Sequence, residues 1–184
     1  ALVAMKIDYC MIKKGITTYL LNSKKNSGRF NCYDINGINV VLDYGHNVDG
    51  YTAVLTALKE LNTGKLYGVI GMPGDRLDDS VIEIGCICSE FLDYAIVKED
   101  KDLRGRNHGE IAKLIESGLL KEDRNKKYEV ILDEQEAFIK AISLAETGDT
   151  VIVFFEDMKK KKKIIEEFEM FNKENENFKY EALN

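Results

Sequence analysis

Tryptophan is absent from this 184-residue sequence, proline occurs once and histidine twice. With two histidines there is little from which to build a zinc centre. The four cysteines, at positions 10, 32, 86 and 88, do not form a spaced framework, and a chain of this length does not need staples. A reducing, cytoplasmic setting is the simplest expectation. No apolar run approaches the ~20 residues that span a bilayer. Positive charge is also in deficit: 26 Lys and Arg face 32 Asp and Glu, a formal charge of −6, which argues against a broad nucleic-acid or anionic-membrane surface. What remains is ordinary for a soluble globular chain, with 45% apolar and 32% charged residues and 14 glycines. The length suits one domain, or one domain with a remnant of a neighbour.

The chain starts at Ala1 inside a helical pattern, so a segment cut from a longer polypeptide is expected. Residues 1–27 carry that pattern, a break at Gly15, an apolar run to Leu21 and a polar stretch, Asn22 to Ser27, that reads as a linker. Strand-like and helix-like segments then alternate. Two apolar runs, 31–35 and 38–42, flank Asn36-Gly37, the dipeptide that supplies positive φ to a two-residue hairpin turn. Helices are expected over 48–61, 79–91, 109–117 (closed by Gly118), 134–145 and 158–171, with strands at 66–71, 94–97, 128–132 and 150–155. This alternation implies an α/β fold: a Rossmann-like, open, mostly parallel sheet with helices on both faces and an antiparallel edge hairpin.

Ligands of such sheets sit beyond the carboxyl ends of the strands. Four loops fall there. Asp43-Tyr44-Gly45-His46-Asn47 joins an acid, an imidazole and a helix start, a combination suited to phosphate, with Asp43 able to accept from ribose hydroxyls. The plainer reading, in which Asn47 or Asp49 caps the helix and His46 is a solvated turn residue, stands beside it. Gly71-Met72-Pro73-Gly74-Asp75-Arg76 permits close backbone approach, and Arg76 offers a planar fork for a carboxylate or phosphate; alternatively Asp75 and Arg76 simply pair in a loop. The run 98–106 carries Asp100, Asp102, Arg104 and Arg106 and reads either as a solvated loop or as a reader of a small zwitterion. Glu156-Asp157 forms the fourth loop. Cys86 and Cys88 point to nearly opposite helix faces, poor geometry for a shared metal. Lys159 to Lys163 reads as the wet face of the last helix. Neither G-x-G-x-x-G, G-x-S-x-G nor G-x-x-x-x-G-K-[ST] is present.

Taken in order, Gly28-Arg29-Phe30-Asn31, Val41-Leu42-Asp43-Tyr44-Gly45-His46-Asn47, Gly68 to Gly71 with Pro73-Gly74-Asp75-Arg76, and Lys98-Glu99-Asp100 with Asp102 to Arg106 resemble the landmarks of the C-terminal domain of Mur ligases. The Gly-Asp-Arg and Asp-Leu-Arg-Gly-Arg pairing resembles the cyanophycin synthetase branch. The resemblance covers about residues 28–157 and implies residues 1–27 as the tail of a preceding central ATPase domain plus linker, and 28–184 as the Mur ligase C-terminal domain. It implies ATP-dependent amide-bond formation through an acyl phosphate, with arginine as the expected amino acid. Arg29 and Asp43 would contact ATP, and His46 and Asn47 would approach its phosphates. Asp75, Arg76, Asp100, Asp102, Arg104 and Arg106 would seat the amino acid. ATP and Mg2+ would be held mainly by the central domain, because the phosphate loop is missing here, and the chain alone is expected to be inactive. No metal ligand, nucleic-acid partner or membrane contact is expected in this domain, and a homo-oligomeric parent is left open. Val48, where many relatives place proline, departs from the pattern. Other readings are a Mur or folylpolyglutamate-type ligase using a different amino acid, or a non-catalytic nucleotide or amino-acid binding module.

Overall fold

A computed structural model describes residues 28–155 and the isolated positions 8 and 11. The expected features at 1–27, including the linker, and at 156–184, including Glu156-Asp157, the lysine run and the last helix, lie outside the described residues. The chain forms β1 (Asn31–Ile35), β2 (Ile38–Asp43), α1 (Val48–Leu61), β3 (Leu66–Ile70), α2 (Asp78–Phe91), β4 (Tyr94–Val97), α3 (Glu110–Glu122), β5 (Tyr128–Val130), α4 (Glu134–Leu144) and β6 (Thr150–Phe154).

The strands make one six-stranded sheet in the order β1-β2-β6-β3-β4-β5. Only β1 is antiparallel, pairing Asn31 with Leu42 and Ile35 with Ile38. Its turn needs left-handed backbone at both central residues, and Asn36 (φ 55°) and Gly37 (φ 78°) supply it. The remaining pairs, β2·β6, β6·β3, β3·β4 and β4·β5, are all parallel.

Alternate residues of each central strand enter opposite cores, as the two-residue period requires. Val41, Leu66, Ile70, Ala95, Val97 and Ile152 pack on one face with α1, α2 and α3. Val40, Leu42, Val69, Ile96, Val151 and Val153 pack on the other with α4. β3 and β6 are buried at every residue, which is why they read as continuous apolar runs. Helix α1 buries Tyr51, Val54, Leu55 and Leu58, one stripe at helical spacing, behind an Asn47 cap.

One helix differs from expectation. α3 does not stop at Gly118 but continues to Glu122. A Cβ on Gly118 would lie 2.1 Å from the Ile82 carbonyl oxygen and 2.8 Å from the Gly85 Cα, while one on Gly85 would lie 2.3 Å from the Ile115 carbonyl oxygen. The two glycines mark the crossing of α2 and α3, where backbones touch. Gly118 is a packing residue inside a helix, not a terminator. The two helical cysteines diverge as their spacing predicts: Cys88 is buried in the core and Cys86 is partly exposed.

Candidate functional site at the carboxyl rim of the sheet

Because β2, β3, β4 and β6 run parallel, the loops that follow β2, β3 and β4 emerge on one edge. The β2 end is built around Asp43, a buried carboxylate whose Oδ2 accepts the Phe30 N–H at 2.8 Å. Phe30 adopts a left-handed φ of 47°, two residues after Gly28 at 86°. A strained non-glycine backbone of this kind persists only where surroundings hold it. Asp43 holds it on one side, while the Asn31 carboxamide oxygen accepts the Gly28 N–H at 2.7 Å on the other. The result is an exposed Arg29 whose guanidinium carbon lies 5.4 Å from the Tyr44 ring centroid. Burial pushes the Asp43 carboxyl up, and the Phe30 N–H and the Arg29 charge offset this only in part.

His46 and Asn47 follow. His46 Nδ1 lies 3.1 Å from the Tyr44 carbonyl oxygen. A carbonyl can only accept, so Nδ1 carries a proton and Nε2 is the nitrogen left for a ligand. Contact with a phosphate oxygen then requires the imidazolium. Asn47 caps α1, its Oδ1 accepting from Gly50 N–H at 2.8 Å, which leaves its amide nitrogen as the donor for other partners. The capping reading of Asn47 is therefore correct for its oxygen.

The β3 end is fastened to α1 by Tyr51, whose buried hydroxyl donates to the Gly71 carbonyl at 2.6 Å and accepts the Gly71 N–H at 3.2 Å. The Tyr51 ring stacks on Phe154 with centroids 3.6 Å apart. Gly74 is needed beyond it, since a Cβ there would fall 2.1 Å from the Leu103 carbonyl oxygen. The β3 and β4 loops thus touch backbone to backbone, and ions tie them further. Arg104 Nη1 donates to Asp75 Oδ2 at 2.8 Å, which holds the Asp75 carboxyl below its ordinary value. Arg76 Nε is 3.9 Å from Asp75 Oδ1 and has no hydrogen-bond partner among the described residues.

The predicted substrate loop divides into different kinds of residue. Arg106 donates from Nε to Gly74 O at 2.8 Å and from Nη2 to Arg76 O at 2.6 Å, and pairs with Glu110 at 2.8 Å and Asp78 at 2.7 Å. Those contacts make it a strut between the two loops. Asp102 is largely exposed and accepts the Arg104 N–H at 3.1 Å, supporting the left-handed turn at Arg104 (φ 46°) and Gly105 (φ 89°). Asp100 is mostly buried and bound by the Lys98 ammonium. The composition of 98–106 did not mark Lys98 and Glu99 as distinct from the run. Glu99 caps α3, both oxygens accepting the Gly109 N–H at 2.9 and 3.0 Å, with His108 Nδ1 at 2.7 Å.

A narrow depression gathers three of these ends: Tyr44, Gly45 and His46 from the β2 loop, Gly71 and Pro73 from the β3 loop, and Lys98 and Asp100 from the β4 end, floored by Phe154 and Phe155. A second, of about 360 Å³, lies on the far side of Asp100 and is lined by Glu99, Lys101, Leu103, His108, Leu132, Asp133 and Glu134. A hollow of about 700 Å³ around Lys59, Asp93 and Lys126 opens at the opposite edge of the sheet, away from these loops. No group of three His, Cys, Asp or Glu side chains among the described residues is arranged to hold a metal ion. No described helix is long and apolar enough to cross a membrane.

An open, mostly parallel sheet with an antiparallel edge strand and helices on both faces defines a Rossmann-like α/β domain. Residues 28–154 match the family described as Mur ligase, glutamate ligase domain, and the chain belongs to that family of ligases. Cyanophycin synthetase of Synechocystis sp. is 41% identical over 154 residues, 84% of this chain and 18% of that protein. The chain thus spans about a fifth of the length of the curated relatives it matches. A pseudomurein peptide ligase type C from Methanothermus fervidus shares the fold with a TM-score of 0.64 at 24% identity, covering 91% of this chain and 33% of that one. Folylpolyglutamate synthase of Mycobacterium tuberculosis, solved with ADP and AMPPCP, does so with a TM-score of 0.59 at 17% identity, covering 80% and 32%.

Proposed function

We propose that this chain is the C-terminal domain of a longer, cytoplasmic, ATP-dependent ligase that joins an amino acid to a carboxylate, and that the pair is arginine and a side-chain carboxylate of a polyaspartate chain. Residues 28–184 form that domain, and 1–27 are the tail of a central ATPase domain with its linker. The observation that carries the reading is that the loops after β2, β3 and β4 open on one carboxyl-end rim, with His46 and Asp100 lining one depression, Asp75 and Arg76 a neighbouring hollow, and Arg29 and Asp43 at the β2 end, in a chain 41% identical to a cyanophycin synthetase.

ATP, when bound, supplies the phosphoryl group that turns the acceptor carboxylate into an acyl phosphate, from which an amine displaces phosphate. The rim suits such a ligand: an exposed guanidinium, an imidazole whose Nε2 has no partner among the described residues and donates in the imidazolium form, and the amino end of α1 lie on it. Arg29, presented by the strained 28–30 turn, stabilises negative charge on the transferring group. Asp43 holds that turn in place through its Oδ2 and would contact ATP with the remainder of its carboxylate. His46 and Asn47 meet the phosphates. Asp75, Arg76, Asp100, Asp102 and Arg104 seat the amino acid, with Arg106 locking the two loops that carry them. Mg2+ falls to side chains of the central domain.

In the full-length ligase, Arg29→Ala is expected to lower kcat by about 10²–10³, the scale of losing one charge-stabilising donor. Arg29→Lys is expected to recover only part of this, because an ammonium lacks the planar fork. Steady-state phosphate release with arginine and polyaspartate measures both. An Arg29→Ala enzyme with wild-type turnover contradicts the reading.

A further inference from the structure

Lysine is almost never fully buried without a partner, yet Lys98 has 1% of its surface exposed. It directly follows β4, and its Nζ contacts two carboxylates, Asp100 Oδ1 and, at 2.9 Å, Glu134 Oε2 at the start of α4. The chain is shaped to admit it. A Cβ on Gly71 would lie 2.7 Å from Lys98 Cε and 2.9 Å from Cδ, so the stem passes where only glycine leaves room. That glycine is clamped in turn by the Tyr51 hydroxyl at both its N–H and its carbonyl.

A stability role alone accounts poorly for this arrangement. Desolvating an ammonium and two carboxylates is costly, and apolar side chains of similar volume often serve a core as well or better. What the ammonium does secure is place. Asp100 stands in the wall between the two rim depressions, one lined by His46 and the other by His108 and Glu134. Without Lys98 nothing described would hold its carboxylate at that point.

We infer that Lys98 is a positioning residue: by bridging Asp100 to Glu134 it fixes the Asp100 carboxylate in the wall of the rim, where it receives the amino group of the incoming amino acid. This rests on the ligase reading above and assigns the group through which Lys98 acts. Burial draws the Lys98 ammonium down, but Glu134 and Asp100 more than offset it, so Lys98 stays charged across the working range.

The test is a double-variant cycle in the full-length ligase, reading arginine-dependent phosphate release. Lys98→Met is expected to raise KM for arginine about tenfold while leaving KM for ATP within about twofold. Asp100→Asn is expected to do the same, and the double variant no more than Asp100→Asn alone, because both changes remove one interaction. Lys98→Gln, which removes the charge and shortens the reach to both carboxylates, carries the same cycle if Lys98→Met does not fold. Effects that multiply in the double variant, or that raise both KM values equally, overturn the role given to Lys98 while the ligase reading stands. A wild-type enzyme without arginine-dependent turnover overturns that reading, and this inference with it.

Discussion

Asp43 has 6% of its surface exposed, and its carboxylate supports the left-handed Phe30 that presents Arg29. Its folded pKa lies above the ordinary carboxyl value of ~3.9 because burial penalises the charge. The unfolded chain therefore loses this proton first. The Asp43 contribution to stability is complete below the unfolded pKa and declines as pH rises through the folded one. Asp43→Asn does not titrate, so the gap in Tm between wild type and variant is expected to shrink or reverse between about pH 4 and 7. Thermal melts across that range check it, and a gap that widens with pH contradicts the assignment. Residue type and strand-end position marked Asp43 and His46 in the sequence, and the family resemblance marked Arg29. They did not reveal that Asp43 faces inward to a backbone amide, since its partner lies thirteen positions earlier.

Among elements, α2 and α3 meet backbone to backbone through Gly85 and Gly118. Alanine is the better helix former by about 1 kcal/mol, so intrinsic propensity favours Gly118→Ala. Packing opposes it, because the new Cβ would meet the Ile82 carbonyl oxygen at 2.1 Å and backbone cannot move aside cheaply. Gly118→Ala is expected to destabilise the chain by about 1–3 kcal/mol, the usual cost of overpacking. Chemical denaturation measures this, and a neutral or stabilised variant refutes the packing role. The same position explains the misplaced helix end: a glycine in a helical pattern signals either a terminator or a close crossing, and the neighbouring helix that distinguishes them is remote in sequence. The hairpin had no such ambiguity, because Asn36-Gly37 encodes its own turn.

At the scale of the molecule, all three loop groups of the candidate site open to one side, and the described residues contain neither a phosphate loop nor a metal cluster. Purified alone with ATP, arginine and polyaspartate, the chain is expected to release phosphate only at background rate. Amide-bond turnover by the isolated chain would show that no neighbouring domain is needed to complete the site. The order of strands was not legible in advance. β6, last in sequence among the described strands, inserts between β2 and β3, so the loops of β2 and β3 are separated by a strand formed much later in the chain.

Helix and strand periods, the Asn-Gly turn and the strand-end placement of Asp43, Asp75 and Asp100 are local properties, written within a few residues of each position and readable there. Partnership is not local. The burial of Lys98 against Glu134, the commitment of Arg106 to the Gly74 and Arg76 carbonyls, and the touching glycines of α2 and α3 join residues roughly thirty or more positions apart. Only folding brings such groups within hydrogen-bond or van der Waals reach, and only then does a charged side chain in a polar run become either a ligand for substrate or a fixed support for one.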